Sequence, residues 1–333
     1  MDEPDIEARV AQFQATFDAI RKEMHKVIVG QEEVVERVLT AVVAGGHVLL
    51  EGVPGLGKTV LVKTLGQVLD LSFSRIQFTP DLMPADICGT NIVVEDGGLR
   101  GFQFQPGPIF AHFVLADEIN RATPKTQSAL LEAMQERSVT VAGVVRQLSE
   151  PFFVMATQNP IEMEGTYPLP EAQVDRFLFK LIVAFPNVPQ LVSILSRTTA
   201  GTDVTLEKTA DGRAILQMRR LSREVLLSDA VAEYVARLIS ATHPDHPDAP
   251  SSVKQFVRYG SSPRGAQSVV VAAKVHALRQ GRFNVACEDV RAVAVPALRH
   301  RIIRSFEGEA EGVSTDTLVG EIVKDLDRVA AAR

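Results

Sequence analysis

The sequence contains little cysteine and no long apolar run. Only Cys88 and Cys287 occur among its 333 residues. Two widely separated cysteines provide neither a disulfide framework nor a zinc-binding cysteine motif, which fits a reducing compartment. No segment reaches the roughly 18 apolar residues of a membrane span, and residues 1–10 are acidic where a secretory signal is basic and then apolar. These absences predict a cytoplasmic protein without a membrane span.

The sequence also lacks a strong excess of charge. It has 35 Lys and Arg residues against 41 Asp and Glu residues, a net charge of −6. This mildly acidic balance argues against a surface built to bind nucleic acid throughout. A hydrophobic content of 46% excludes a mostly disordered chain. At roughly 100–200 residues per domain, the length predicts one large or two medium domains.

The apolar pattern predicts an α/β core followed by helices. Apolar residues at helical spacing predict a first helix over 6–27, and packing on its own domain is favoured over a coiled coil. Short apolar strands alternating with helices then indicate a parallel sheet covered on both faces. The predicted strands are 47–50, 113–116, 152–156 and 177–183, the helices between them are 58–69 and 123–135, and two inserted β-hairpins cover 90–105 and 138–148.

A Pro-rich stretch at 185–189 reads as a linker and sets the domain borders. We predict an N-terminal amphipathic helix over 1–21, a nucleotide-binding α/β core with two hairpin inserts over 22–186, and a smaller all-α domain over 187–333. In the last domain, Ser228 and Ser262 are candidate helix N-caps, and Gly281 follows a helix end.

The clearest motif runs from Gly52 to Thr59 and fits the phosphate-binding pattern G-x-x-x-x-G-K-[ST]. A predicted strand precedes it and a predicted helix follows it, as this loop requires. Its backbone N–H groups would face phosphate oxygens, Lys58 would reach the β- and γ-phosphates, and Thr59 would ligate Mg²⁺. The alternative is a Gly-rich turn that happens to contain a lysine. The predicted phosphate-loop residues are Gly52, Val53, Pro54, Gly55, Leu56, Gly57, Lys58, Thr59 and Val60.

Polar residues follow two further predicted strands. Asp117 and Glu118 end the strand at 113–116, where a magnesium-side carboxylate and a water-polarising carboxylate belong. Asn159 ends the strand at 152–156 and could reach the γ-phosphate or the lytic water, or it could simply start the turn before Pro160. A second carboxylate beside the magnesium ligand favours hydrolysis over group transfer. No guanine-specifying Asn-Lys-x-Asp motif occurs, so ATP is preferred to GTP.

Two polar clusters are given bland interpretations. Residues 243–246, His-Pro-Asp-His, lack further ligands in sequence for a metal site. The basic cluster at 299–304 could touch DNA, but a subunit interface or a solvated face is favoured.

Together these motifs resemble AAA+ ATPases, and among them the MoxR group. The resemblance covers about residues 22–306 and rests on segments 52–59, 115–121, 156–160 and 169–177, with 75–84 similar to the stretch leading into this group's helix-2 insert. It implies an AAA+ core followed by an α-helical lid.

The resemblance also implies site residues. Val29, Gly30 and Gln31 match the segment that flanks the adenine. Arg176 matches the arginine finger that reaches the nucleotide of the next subunit, although it could instead form a salt bridge with Asp175. Arg264 matches the sensor-2 arginine. Because a cation in the first turn of a helix opposes the helix dipole, a nearby phosphate would offset that cost, although an exposed arginine tolerates the position.

Four functions remain open. The first is an ATP-driven, chaperone-like remodelling machine, a homo-oligomeric and probably six-membered ring with von Willebrand factor A domain partners and an unknown client, as the MoxR resemblance implies. The others are the motor subunit of a metal chelatase, a slow nucleotide-controlled binding switch, and a DNA motor. Because the tip at 141–145 carries neither aromatic nor basic residues, nucleic acid is disfavoured. The predicted cofactors are ATP and Mg²⁺.

Overall fold

The computed structural model describes residues 5–96, 99–160, 165–199 and 204–331. These residues form two compact units. One contains the described parts of 1–17, 177–180 and 217–333, and the other contains those of 18–176 and 181–216. The predicted nucleotide-binding motifs fall in the second of these, which we call the core unit. We call the first the helical unit.

Helices and strands alternate through the core unit as the apolar pattern predicts. The helices are α1 Ile6–Val27, α2 Glu32–Ala44, α3 Lys58–Val68, α4 Pro84–Cys88, α5 Pro124–Glu136, α6 Glu171–Val174, α7 Val188–Thr199, α8 Gly212–Glu224, α9 Asp229–Ser240, α10 Ser251–Phe256, α11 Pro263–Arg279, α12 Cys287–Leu298, α13 Phe306–Ala310 and α14 Thr315–Ala331. The strands are β1 Val48–Glu51, β2 Phe73–Gln77, β3 Gly89–Asp96, β4 Leu99–Pro106, β5 Phe113–Asp117, β6 Ser138–Val141, β7 Val144–Gln147, β8 Phe153–Gln158, β9 Phe179–Ile182, β10 Val257–Tyr259 and β11 Ile303–Arg304.

The main sheet has five strands in the order β2-β5-β8-β1-β9. The pairs β2–β5, β5–β8 and β1–β8 are parallel. Residues 48–50, 113–116 and 153–157 are buried, which explains their continuous apolar runs, because helices cover both faces of such a sheet. The four predicted strands are confirmed. The apolar pattern missed β2, an edge strand in which only Ile76 is buried.

Both predicted hairpins are present. Strands β3 and β4 pair antiparallel from Gly89 opposite Pro106 to Asp96 opposite Leu99, and residues 97–98 at their tip lie outside the described residues. Strands β6 and β7 meet at Ala142 and Gly143, whose φ angles of 50° and 78° suit the tight turn of a two-residue hairpin. Each hairpin therefore forms a separate two-stranded ribbon.

The first helix carries the predicted apolar stripe, but it is longer than the predicted segment 1–21. Helix α1 ends at Val27. Its buried side chains are Val10, Phe13, Phe17, Ile20 and Met24. Contacts assign the described residues up to Phe17 to the helical unit and those from Asp18 to the core unit.

The Pro-rich stretch at 185–189 does not coincide with the division into units, because the chain after it packs back onto the core unit. Arg197 donates to the His25 and Lys26 carbonyls at 3.2 and 3.0 Å. The Glu207 N–H donates to the Glu23 carboxylate at 3.0 Å. Residues 187–216 thus belong to the core unit, and a functional border between core and lid at 186/187 remains a prediction.

The helical unit contains α9 to α14 and one feature that the sequence pattern did not predict. Strands β10 and β11 form a short antiparallel pair. Ser228 and Ser262 accept hydrogen bonds from the N–H groups of Val231 and Arg264, so both predicted N-caps are confirmed. Among the described residues, no helix is both long enough and apolar enough to cross a membrane.

Asp289 connects α11 and α12 inside the helical unit. Its fully buried carboxylate accepts from Arg282 at 2.7 and 2.8 Å, from His276 Nδ1 at 2.7 Å and from the Ala286 N–H at 2.8 Å. Burial opposes ionisation, but the hydrogen bonds from His276, Arg282 and Ala286 outweigh it and hold the pKa of Asp289 at about 2. The ionised carboxylate therefore stabilises the folded unit.

Asp289→Asn is expected to lower the free energy of unfolding by about 2 kcal/mol at pH 7, since each unit of pKa difference is worth about 1.4 kcal/mol. Because the folded pKa lies below the ordinary value of 3.8, the stabilisation is complete above that value and is lost as the pH falls toward about 2. Urea unfolding at several pH values measures this difference. Asp325→Asn, which removes an exposed partner of Arg328, is the control and should change stability by less than about 0.5 kcal/mol. An equal effect of both variants would contradict the assignment.

Candidate nucleotide-hydrolysis site

The predicted phosphate-binding loop lies between β1 and α3. Gly55 and Gly57 have φ angles of 84° and 76°, in the left-handed region that side chains rarely adopt. A Cβ atom at either position would meet nothing within 4 Å. Backbone conformation and not crowding therefore favours glycine there. Gly57 directly precedes the first residue of α3, so the loop ends at a helix N-terminus that favours anions.

Lys58 begins α3 and its ammonium turns back into the loop. Its Nζ donates to the Gly52 carbonyl. Burial lowers the pKa of Lys58, whereas the charges of Asp117, Glu118 and Glu51 raise it and oppose this shift. The lysine is thus a half-buried cation facing acidic groups, and a phosphate could offer it a stronger partner than a neutral carbonyl.

The two predicted carboxylates lie at the carboxyl end of β5, next to the end of β8. Thr157 on β8 joins them. Its hydroxyl donates to Asp117 Oδ1 at 2.7 Å and accepts from the Glu118 N–H at 2.8 Å. Glu118 has a φ of 56°, so the chain turns sharply after Asp117. Thr157 therefore fixes the relative orientation of the two acidic residues.

Edge strand β2 contributes two further partners. Arg75 donates to Asp117 Oδ2 from Nε at 3.1 Å and from a terminal nitrogen at 2.5 Å. Gln77 Nε2 donates to Glu118 Oε2 at 2.8 Å, and Arg121 donates to the same oxygen at 3.0 Å. Both predicted acidic residues are thus already hydrogen-bonded, and catalysis at Glu118 requires exchange of these partners.

Asn159 directly follows β8 and is 7% exposed. Strands β5, β8 and β1 are parallel neighbours, as predicted from the sequence. The Gly52 N–H donates to the Gln158 carbonyl at 3.3 Å, which holds the start of the phosphate loop beside the end of β8. The structure therefore gathers this loop, Asp117, Glu118 and Asn159 at one sheet edge.

The segment predicted to flank adenine is attached to the phosphate loop. Gly30 and Gln31 have φ angles of 64° and 55°. Gln31 Nε2 donates to the Leu56 carbonyl at 3.1 Å. The side chain of Gln190, on α7, covers Gly30 so closely that a Cβ atom there would lie 2.4 Å from its amide nitrogen. Val29 to Gln31 thus adjoin the loop, and α7 adjoins Val29 to Gln31.

The two predicted arginines lie in different units. Arg176, in the core unit, donates to the Leu131 carbonyl at 2.8 Å, and its buried Nε has no hydrogen-bond partner. Arg264 lies in the first turn of α11 in the helical unit, where its N–H donates to Ser262. A buried donor without a partner carries a free-energy cost, and an incoming anion could remove that cost for Arg176.

The described residues contain no group of three His, Cys, Asp or Glu side chains that could hold a metal ion. Mg²⁺ does not require one, because it usually binds one or two carboxylates together with phosphate oxygens and water. The Thr59 hydroxyl and the Asp117 carboxylate are oxygen donors of the kind that Mg²⁺ prefers. The donor set therefore fits Mg²⁺ bound together with a nucleotide.

Sequence reasoning missed the functional placement of Thr157, Arg75 and Gln77. Thr157 was noted only as part of a motif, although a polar residue inside an apolar strand was a usable signal. Arg75 and Gln77 alternate with the buried Ile76 on β2. An alternating edge strand of this kind places both polar side chains on one face.

Comparisons with known proteins agree with this architecture. Residues 47–179 match the profile of the ATPase family associated with various cellular activities (AAA), and residues 250–322 match an AAA lid domain. The chain is 42% identical over 304 residues to Chaperone MoxR1 of Mycobacterium tuberculosis (strain ATCC 25618 / H37Rv), covering 91% of this chain and 80% of that protein. It is 43% identical over 301 residues to the uncharacterized protein YeaC of Bacillus subtilis (strain 168), covering 90% and 91%.

A solved structure has the same fold. The crystal structure of a candidate ATPase from Cytophaga hutchinsonii ATCC 33406, at 2.00 Å resolution, superposes with a TM-score of 0.89. The two chains are 39% identical, and the match covers 96% of each. The predicted α/β core followed by a helical lid domain is therefore confirmed.

Proposed function

Because this chain belongs to the MoxR family of AAA+ ATPases, we propose that it binds ATP with Mg²⁺ at the edge formed by β1, β5 and β8 and hydrolyses it there. The observation that carries this proposal is the meeting of two features. A phosphate-binding loop with left-handed Gly55 and Gly57 lies beside the carboxylates of Asp117 and Glu118, and Lys58 faces both acidic residues.

Each residue of the site has a distinct task in this mechanism. The backbone of residues 52–59 and the ammonium of Lys58 bind the β- and γ-phosphates. Thr59 and Asp117 hold Mg²⁺, which when bound neutralises charge on the phosphate oxygens. Glu118 accepts a proton from the attacking water after its carboxylate has exchanged Gln77 and Arg121 for that water. Asn159 orients the water or the γ-phosphate, and Val29 to Gln31 flank the adenine.

Arg176 and Arg264 act on charge that develops at the γ-phosphate. Arg176 reaches the nucleotide of a neighbouring subunit, so that an active site is complete only in a homo-oligomeric ring, for which we propose six subunits. The unsatisfied Nε of Arg176 supports a missing anionic partner. Arg264 senses the nucleotide from the first turn of α11, in its own or a neighbouring subunit.

The energy of hydrolysis serves a chaperone-like remodelling or maturation of protein complexes in the cytoplasm. A relative with 42% identity carries the name Chaperone MoxR1, which supports this part of the proposal. Proteins with von Willebrand factor A domains are the proposed partners. The exposed side chains of Val144 and Val145 at the end of a hairpin suit protein contact better than nucleic-acid contact. A chelatase-type motor and a slow nucleotide switch are the alternatives.

Replacement of Lys58 by alanine tests the nucleotide site. Hydrogen bonds to charged groups contribute about 1.5–3 kcal/mol, so ATP affinity should fall about 10- to 100-fold. Titration with a fluorescent ATP analogue in the presence of Mg²⁺ measures this change.

Lys63→Ala is the matched control for that experiment, because Lys63 lies on the same helix and is exposed. Its affinity for the analogue should equal that of the unmodified protein. Unchanged affinity in Lys58→Ala would refute the assignment of the phosphate-binding loop.

A further inference from the structure

A buried arginine in the helical unit holds the chain immediately after Arg176. Arg301 is 7% exposed. One terminal nitrogen of its guanidinium donates to the Phe177 carbonyl at 2.8 Å, and the other donates to the Leu178 carbonyl at 3.3 Å. The two residues that follow Arg176 in sequence are thus fixed through their main chain.

His300 reinforces the same point. Burial and the neighbouring charge of Arg301 lower the pKa of His300 well below its ordinary value. The imidazole is therefore neutral, and its Nε2 donates to the Phe177 carbonyl at 3.0 Å. One carbonyl oxygen accordingly accepts from two consecutive side chains of the segment after α12.

Arg301 is itself anchored from two sides. It donates to the Ala297 carbonyl at the end of α12 and to the Ser268 hydroxyl on α11, the latter at 3.0 Å. Ser268 lies four residues after Arg264, on the same face of α11. The guanidinium therefore ties residues 177–178 to the two helices α11 and α12.

Packing alone would already hold this segment in place. The side chains of Phe177, Leu178 and Phe179 are 0%, 6% and 0% exposed. Burying a guanidinium costs several kcal/mol unless hydrogen bonds compensate it, whereas an apolar residue would fill the space without that cost. The rigid fork of an arginine, with donors in several directions, adds a defined main-chain orientation that apolar packing does not provide.

We propose that Arg301 is a positioning residue for Arg176. By fixing the carbonyls of Phe177 and Leu178, it sets the direction in which the Arg176 side chain leaves the main chain toward the neighbouring nucleotide. This inference rests on the proposed function, in which Arg176 completes the site of another subunit. A misplacement of about 1 Å can cost about 100-fold in rate, so such fixing has a measurable effect.

Mixed rings separate this role from a general effect on folding. Subunits with Glu118→Gln can give an arginine finger but do not hydrolyse ATP, and subunits with Arg176→Ala have a complete own site but no finger to give. In a mixture, ATP is hydrolysed only where an Arg176→Ala subunit receives the finger of a Glu118→Gln subunit. Arg301→Lys is then added either to the subunit that gives the finger or to the subunit that receives it.

Arg301→Lys in the finger-giving subunit should reduce the ATPase rate of the mixture about 10- to 100-fold. The same change in the receiving subunit should leave the rate unaltered, because the finger of that subunit is already absent. Equal losses in both arrangements, a loss only in the receiving subunit, or no loss in either would overturn the positioning role. If the mixture without Arg301→Lys is inactive, the shared site of the proposed function is wrong and this inference falls with it.

Two further variants guard against misfolding. Arg304→Lys is the matched control, because Arg304 also donates to a main-chain carbonyl in this unit, that of Val313 at 3.0 Å. It should have no effect in either arrangement. Ser268→Ala removes one anchor of Arg301 without altering the guanidinium. It should cause a smaller loss, again only in the finger-giving subunit, and a symmetric loss would count against the proposal.

Discussion

Replacing Glu118 by glutamine is expected to abolish ATP turnover while leaving ATP binding intact. The amide preserves the shape of the side chain but cannot accept the proton of the attacking water. General-base catalysis contributes about 100- to 10,000-fold, so turnover should fall by a factor in that range. Phosphate release under saturating ATP measures turnover, and equilibrium binding of an ATP analogue measures affinity.

The control for this variant is Glu136→Gln, at the exposed end of α5. It makes the same chemical change away from Asp117 and should hydrolyse ATP at the normal rate. Normal turnover in Glu118→Gln would reject Glu118 as the group that activates water. A loss of both turnover and binding would instead assign Glu118 to the nucleotide pocket.

The second large effect is expected for Arg176→Ala. An arginine finger contributes about 1,000- to 100,000-fold to phosphoryl transfer, so a ring made only of this variant should be nearly inactive. In the structure Arg176 contacts a single main-chain carbonyl, that of Leu131, and its removal should change folding little. The fall should appear in kcat, with ATP affinity in the assembled ring much less affected.

Arg328→Ala is the control for Arg176→Ala. Arg328 is an exposed residue of α14 that pairs with Asp325 at 3.1 Å, a pair worth less than about 1 kcal/mol. Its ATPase rate should match that of the unmodified protein. If Arg176→Ala retains a normal kcat, Arg176 has no role at the γ-phosphate, and its hydrogen bond to Leu131 is structural.

The parts of the fold that local sequence determines were predicted well. Strand β5 is buried on both faces and therefore reads as a continuous apolar run. The phosphate loop depends on glycines, a lysine and a helix start within eight residues of one another. Both are visible in a short window of sequence.

The features that were missed depend on distant partners. Residues 187–216 were separated from the core at a Pro-rich stretch, because the return of Arg197 to the end of α1 joins residues about 170 positions apart. The contact of Arg301 with Phe177 spans 124 positions. Neither periodicity nor a local motif reports such contacts, so Arg301 was visible only as one member of a basic cluster.

The same limit applies to the acidic residues of the candidate site. Sequence placed Asp117 and Glu118 at a strand end, but their hydrogen-bond partners come from other strands. Thr157 lies on β8, and Arg75 and Gln77 lie on the edge strand β2. Their roles follow from the strand order, which the sequence pattern did not determine.

The central claim is that a complete active site needs two subunits, and ATPase activity per subunit as a function of protein concentration tests it most directly. Light scattering on the same samples gives the degree of assembly. We predict that specific activity rises steeply over the concentrations at which subunits assemble, and that Arg176→Ala assembles equally without this rise. Appreciable activity per subunit that stays constant down to dilutions where monomers dominate would contradict the account.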